Sequence, residues 1–258
     1  MRVTFLGTAD GNTSATREHS GILIQTPVTS LLLDCGATVP RFLLAKKINP
    51  EVPEAIWISH MHSDHIGQFS MLIQSLWLRA RRAPLHVYAP AAVIPTLQEW
   101  LIQCILFPEL LGFRIEWHPI KSGSKFTLGA FELRAFSTKH LANLASFFQR
   151  DYPQTCFDCY GVAITYQKQR YVYSADIEHP RDLRPALKTP VRALLCELTH
   201  FPERELFKEL AAHDVKGLWI THYPDHLENK ELQLKKIARE EKYRGKVTLM
   251  RDKRSESI

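Results

Sequence analysis

The sequence predicts a single α/β domain in which helices cover packed β-sheets. Three observations carry that expectation. The chain has 258 residues of 45% apolar composition, enough to bury a large core. Strand-like and helix-like segments alternate along its length, and the first third opens with strands that read as a hairpin. No internal repeat, low-complexity tract or Pro/Gly linker divides residues 1–258.

Arg2 to Leu6 reads as a strand, and the Gly7-Thr-Ala-Asp-Gly-Asn12 stretch after it as a loop, because glycine and Asx residues supply turn conformations. Ser20 to Thr26 and Ser30 to Asp34 form a hairpin around Thr26-Pro27. Ala55 to Ser59 is a third apolar run that ends at a histidine cluster. Gly67 to Arg79 then carries Phe69, Leu72, Ile73 and Leu76 at helical spacing, which sets the cluster in a strand-to-helix loop. The pattern continues through strands at Leu85 to Tyr88, Glu132 to Phe136, Val162 to Tyr166 and Tyr171 to Ser174, with Ala91 to Leu101 between the first two. The last third adds Ala193 to Glu197, a helix near Glu203 to Ala211, and Gly217 to Thr221.

The opening MRVTFLGTADG lacks a basic start, a long apolar run and a small-residue cleavage site, and apolar runs elsewhere fall short of about 18 residues, so a cytoplasmic protein away from the membrane is expected. Five cysteines, an odd number in a mid-sized chain, read as reduced thiols. Cys156 and Cys159 have CxxC spacing but lack a second pair for a zinc site and a helix start for a redox motif, so incidental thiols are the expectation. The formal charge of +6 favours an anionic substrate or weak nucleic-acid affinity. Arg79, Arg81 and Arg82 read as the end of a solvated helix, with a basic patch as the alternative, and the mixed charges of Lys230 to Arg254 read as a solvated helix face.

The chemistry concentrates in His60-Met-His62-Ser-Asp64-His65. At a strand end, alternation puts His60 and His62 on one side, where they can grip one ion, while Asp64 and His65 fall on the next turn and can face a second. Histidine and carboxylate without thiolate suit Zn(II), Mn(II) or Fe(II). Four metal-ligand residues in six, directly after an apolar strand, outweigh the alternative of a solvated histidine loop.

The HxHxDH run after an apolar strand resembles the defining motif of the metallo-β-lactamase superfamily, and the resemblance spans nearly the whole chain. It implies a four-layer αββα sandwich, a two-metal centre of Zn(II) or Mn(II), and further ligands from later strand ends. His140 in Phe-Ser-Thr-Lys-His, Asp176 in Tyr-Val-Tyr-Ser-Ala-Asp and His222 in Leu-Trp-Ile-Thr-His occupy such places. The resemblance implies that His60, His62 and His140 hold one metal, that Asp64, His65 and His222 hold the other, and that Asp176 bridges them. It also suggests a homodimer.

Phe5-Leu-Gly-Thr8, Arg17-Glu-His-Ser-Gly21 and Cys196-Glu-Leu-Thr-His200-Phe resemble the branch that contains ribonuclease Z and the phosphoribosyl cyclic phosphodiesterases. The expected reaction is therefore phosphodiester hydrolysis by a hydroxide bridging two ions about 3.5 to 4 Å apart. Asp64 and His200 are the catalytic candidates, His200 as general acid because imidazole titrates near neutral pH and Glu197 or a nearby carboxylate is placed to orient it. Arg17 reads either as a phosphate clamp or as a solvated side chain, His19 in the same loop is a candidate substrate contact with a surface role as the stronger alternative, and Phe148 is a candidate for stacking on a base. The i, i+3, i+4 spacing of Leu144, Phe147 and Phe148 nonetheless favours the packing face of a short helix, with a lid or a dimer contact as further readings.

Ribonuclease Z usually inserts a long Gly/Pro-rich arm between the third ligand histidine and the bridging aspartate. Here only Leu141 to Ala175 lie between them, with the single glycine Gly161. A small cyclic nucleotide or ribose cyclic phosphate is thus the expected substrate. A tRNA 3′ endonuclease is the runner-up, a carboxylic ester or thioester hydrolase comes third, and a non-catalytic metal-binding or nucleic-acid-binding module is the reading from a different class.

Overall fold

The computed structural model describes residues 1–36 and 38–257. It divides into two compact units, Met1–Ile120 with the chain from Asp252 on, and Lys121–Arg251.

In the first unit β1 (Arg2–Gly7), β2 (Gly21–Gln25) and β3 (Ser30–Leu33) pair antiparallel. Thr26 closes the β2–β3 turn, its Oγ1 accepting from the Thr29 N–H at 2.9 Å. From β3 onward the sheet turns parallel through β4 (Ala55–Trp57), β5 (Leu85–Pro90) and β6 (Ile115–Ile120). Leu31, Leu32 and Leu33 are all fully buried, since a strand covered on both faces reads as a continuous apolar run. A C-terminal strand, Ser255–Ser257, pairs with β1 at one edge, and β6 forms the other. The helices are α1 (Val39–Ala45), α2 (Ser63–Ile66), α3 (Phe69–Leu78), α4 (Ile94–Gln103) and α5 (Pro108–Leu111). Helix α3 buries Phe69, Leu72, Ile73 and Leu76, the stripe that its sequence periodicity marks.

In the second unit β7 (Lys125–Leu128), β8 (Phe131–Ser137), β9 (Tyr160–Tyr166) and β10 (Gln169–Tyr173) run antiparallel, and β10, β11 (Ala193–Cys196), β12 (Gly217–Ile220) and β13 (Lys246–Leu249) parallel. Two antiparallel steps restore direction, so β8 points the same way as β10. The register Ala135↔Val162 and Tyr173↔Val162 brings their carboxyl ends within two residues of each other. Helix α6 (Ala142–Phe148) follows β8, while α7 (Glu203–Leu210) and α8 (Glu231–Glu240) bury Leu206, Phe207, Leu210, Leu234 and Ala238 in a core with Val172, Leu194 and Leu218.

Four sequence expectations need correction. Strands β6 and β7 escape the sequence reading because Pro119 interrupts one and Lys125 and Thr127 dilute the other; both are sheet edges, where such residues are tolerated. The tail from Lys230 presents a solvated helix face only as far as α8, since β13 then buries Val247, Thr248 and Leu249. The Leu144, Phe147, Phe148 stripe is not a packing face: α6 buries no residue, and Phe147 is 69% exposed.

The arginine cluster is a solvated helix end only at Arg82, which is exposed, whereas Arg79 and Arg81 turn inward. Arg81 is only 1% exposed, and its guanidinium donates to the carbonyls of Pro50 (3.2 Å), Pro53 (2.8 Å), Ala83 (2.9 Å) and Pro84 (2.7 Å). Burial pulls its pKa below the ordinary value, and Glu51 and Glu54 oppose that shift. Arg79 donates to the Ile48 carbonyl. The planar five-donor fork thus ties the loop before β4 to the loop before β5. Arg81→Leu is expected to lower the free energy of unfolding by about 3 kcal/mol in urea denaturation, because several buried carbonyls lose a charged donor at once. A loss below about 0.5 kcal/mol, the range of ordinary surface substitutions, would remove Arg81 from the framework. Among the described residues, no helix is long and apolar enough to cross a membrane.

Candidate functional site

Each unit carries a histidine cluster at the carboxyl ends of its strands. In the first, the chain leaves β4 through Ser59 and His60 and enters α2, with His62 as its N-cap. The rings of His60 and His62 lie 4.7 Å apart, edge on, and those of His60 and His65 lie 4.2 Å apart. Beneath them sits Asp34, fully buried at the end of β3. Its Oδ1 accepts from the Ser59 N–H at 2.8 Å, and its Oδ2 from the Ser59 hydroxyl at 2.8 Å and from His65 Nδ1 at 2.7 Å.

These bonds fix both tautomers. A carboxylate only accepts, so His65 carries its proton on Nδ1. The Ser59 hydroxyl gives its one proton to Asp34 and therefore accepts from His60 Nδ1, 2.9 Å away. The lone pairs of both rings are left on Nε2. His65 Nε2 faces Asp64 Oδ2 at 3.4 Å, an acceptor against an acceptor, which a divalent cation satisfies. Gly36 permits this packing, because a Cβ there would fall 1.6 Å from the Asp64 carbonyl oxygen.

In the second unit Asp176 follows β10, His140 follows β8, Glu197 follows β11 and His222 follows β12. The two oxygens of Asp176 are divided between two imidazoles, with Oδ2 3.6 Å from His140 Nε2 and Oδ1 3.7 Å from His222 Nε2. Thr199 donates its hydroxyl proton to the His222 carbonyl at 2.7 Å and lies 3.3 Å from His222 Nδ1, which holds the ring lone pair toward Asp176. Glu197 is buried and accepts from the backbone N–H groups of Ile177 (2.6 Å), Thr199 (3.1 Å) and His200 (3.3 Å). His200 Nδ1 lies 2.6 Å from Glu197 Oε2, and the His200 ring stands 4.5 Å from that of His140. Burial first, and Asp176 second, push the Glu197 carboxyl above its ordinary pKa, while His200 pulls it back.

Backbone strain marks the same loops. Asp34, Ala175 and His222 hold φ values of 57°, 52° and 45°, the left-handed region that non-glycine residues enter at a cost. The donor set in both clusters is imidazole and carboxylate, with the second nitrogens of His60, His65 and His222 already engaged, which fits a borderline divalent metal.

The structure brings His60, His62, Asp64 and His65 together in one unit, and His140, Asp176, His200 and His222 in the other. The sequence reading missed Asp34, Ser59 and Thr199. A charged residue ending the all-apolar run Leu31-Leu-Leu33 was the available signal for Asp34. Arg17 is not solvated: it is buried, and its Nη1 donates to the Thr8 carbonyl at 3.0 Å. His19 Nδ1 lies 3.0 Å from the Asp10 carbonyl, in the loop whose Gly11 borders Asp64. Phe148 stands on the exposed face of α6, its ring 6.4 Å from that of Tyr152. A cavity of about 890 Å³ in the second unit is lined by Lys125, Arg134, Arg170 and Lys188, and no clustered histidine borders it.

Residues 1–243 match the family described as Anti-Pycsar protein Apyc1. A ribonuclease Z of Methanothermobacter thermautotrophicus is 33% identical over 150 residues, 58% of this chain and 48% of that protein. The chain spans about half the length of the curated relatives it matches. Among solved structures, the metallo-β-lactamase fold protein YhfI from Bacillus subtilis superposes with a TM-score of 0.76 at 22% identity, covering 98% of this chain and 97% of that one. The short form of human tRNase Z superposes with a TM-score of 0.74 at 18% identity, covering 100% and 99%. Likenesses at that identity establish the α/β metallo-β-lactamase fold.

Asp34→Ala is expected to weaken binding of a divalent ion by about 10- to 100-fold, the usual weight of a partner that orients a ligand imidazole. Competition against a chromogenic chelator reads the change, and unaltered affinity would remove Asp34 from this supporting role.

Proposed function

We propose, for a chain that belongs to the Anti-Pycsar protein Apyc1 family and to the ribonuclease Z-like branch of the metallo-β-lactamase superfamily, a metal-dependent hydrolase of a small phosphodiester, either a cyclic nucleotide or a ribose cyclic phosphate. The observation that carries the reading is Asp176, a buried carboxylate with one oxygen toward His140 and the other toward His222. A carboxylate divided in this way is suited to serve two ions.

The ligand order of the superfamily assigns His60, His62 and His140 to one ion, Asp64, His65 and His222 to the other, and Asp176 to both. Bound there, two Zn(II) or Mn(II) ions would supply Lewis acidity toward the phosphate and a nucleophile at neutral pH. The protein's own contribution is orientation and proton delivery. Asp34, Ser59 and Thr199 hold the rings of His65, His60 and His222 with Nε2 lone pairs outward, so little reorganisation is needed at the reacting centre. Glu197 steadies the His200 imidazolium through Nδ1, leaving Nε2–H to protonate the leaving oxygen.

Substrate size follows from the segment between His140 and Asp176, which is taken up by α6 and the β9–β10 hairpin. A second reading, cleavage of tRNA 3′ ends, draws on the ribonuclease Z relatives and on the cavity whose lining sets Lys125, Arg134, Arg170 and Lys188 against the single acidic residue Glu132, a net positive surface for a polyanion.

A substrate panel decides between them. Cyclic nucleotides, ribose cyclic phosphates and a tRNA precursor are compared by kcat/KM with Zn(II) and with Mn(II), and a small phosphodiester is expected to be the best substrate. Preference for the tRNA precursor would promote the endonuclease, and no turnover of any of them would reject a phosphodiesterase.

The role of His200 is tested separately. His200→Ala is expected to retain its metals and to lose about 10²- to 10⁴-fold in kcat, with a smaller defect on a nitrophenyl ester, whose leaving group needs no proton. An equal loss on both substrates would assign His200 to phosphate positioning, and loss of metal would make it a ligand.

A further inference from the structure

A third group of metal-ligand side chains, sharing no residue with either histidine cluster, lies on the edge of the first unit's sheet. Strands β5 and β6 are parallel neighbours with His86 opposite Glu116 and Tyr88 opposite His118. Strand alternation puts all four side chains on one face. His86 Nδ1 lies 3.0 Å from His118 Nε2 and 3.3 Å from Glu116 Oε2. One atom each of His86, Glu116 and His118 falls within a common 4.8 Å.

Those distances have the size of ligand-to-ligand edges around a small cation. Bonds of about 2.0 to 2.1 Å at tetrahedral angles put neighbouring ligand atoms about 3.3 Å apart. A single imidazole nitrogen that faces both another imidazole nitrogen and a carboxylate oxygen can serve both through one shared proton. A divalent cation serves all three groups at once. The surrounding contacts hold the group in place. The His118 ring stacks on Tyr88 with centroids 4.5 Å apart, and Arg114 Nη2 holds the other Glu116 oxygen, Oε1, at 3.2 Å. Burial, and His86 after it, keep the His118 pKa below its ordinary value, which favours the neutral imidazole that binds metal. The side chains of His86 and Glu116 are 27% and 34% exposed, so an ion has a path in and a fourth position open to water.

We propose that His86, Glu116 and His118 form a peripheral Zn(II) site that clips the edge strand β6 to β5. Two imidazoles and one carboxylate without thiolate suit Zn(II), and the position across two strands makes the bound ion a cross-strand fastener. The site is independent of the reading of the two histidine clusters.

The test uses the full chain, stripped with chelator and titrated with Zn(II) by calorimetry, with Co(II) absorption as a spectroscopic check. Wild type is expected to bind one more equivalent than the His86→Gln/His118→Gln variant. The Glu116→Gln variant, which keeps side-chain volume and both imidazoles, is expected to retain that equivalent with at least about tenfold weaker affinity. Thermal unfolding of the wild type should rise with Zn(II) beyond the rise of the double variant. Equal stoichiometry and equal Zn(II)-dependent shift in wild type and the double variant overturn the site. If the double variant does not fold, Glu116→Gln decides: unchanged affinity and an unchanged Co(II) spectrum overturn it. The readout is metal at the strand edge, so it holds whether or not the chain hydrolyses a phosphodiester.

Discussion

Buried carboxylates govern the architecture of both histidine clusters. Asp34, Asp176 and Glu197 are almost fully removed from water. An ionised carboxylate in that setting is costly unless donors or cations surround it. For Asp34 and Glu197 the chain meets the requirement with backbone N–H groups, the Ser59 hydroxyl and imidazole N–H groups. The hydroxyl and imidazole bonds also point histidines: Asp34 turns His65, Ser59 relays the same constraint to His60, and Glu197 turns His200. The geometry of the clusters is therefore a consequence of desolvating charge beneath them.

Sheet direction supplies the rest of the placement. In the second unit β8, β10, β11 and β12 all run the same way, so the residues that follow them gather at one end of the sheet. His140, Asp176, Glu197 and His222 are those residues. Ligand sites at the carboxyl ends of parallel strands are a general property of α/β sheets, because the loops there are free to vary while the strands are held by the ladder. The left-handed backbone at Asp34, Ala175 and His222 is the local cost of turning the chain sharply enough to aim these side chains.

Charge divides into structural and surface roles that a net value of +6 conceals. Arg81 acts as an internal bracket, its donors spent on four carbonyls of neighbouring loops. Arg134, Arg170, Lys125 and Lys188 instead line a cavity open to solutes. Phe147, Phe148 and Tyr152, on and just beyond α6, are exposed apolar side chains, as are Val28, Leu44, Leu78, Ile105 and Leu232 elsewhere.

The sequence by itself determined the strands β1 to β5 and β8 to β12, the helices α3, α4 and α7, the position of HxHxDH in a strand-to-helix loop, and the later candidates His140, Asp176, His200 and His222. Local rules suffice for these, since a period of two or 3.6 and an abrupt polar residue after an apolar run are visible within ten or so positions. Tertiary structure alone decided what each polar residue faces. Arg81 looked solvated because nothing nearby in sequence announces that Pro50 and Pro53, about thirty positions upstream, turn their carbonyls toward it. Asp34 acquired its role only when β3 was laid beside β4 and its carboxylate came under Ser59 and His65. The partnership of His86, Glu116 and His118 likewise exists only in the register of β5 against β6, and register is fixed by packing across the whole sheet, which local sequence does not encode.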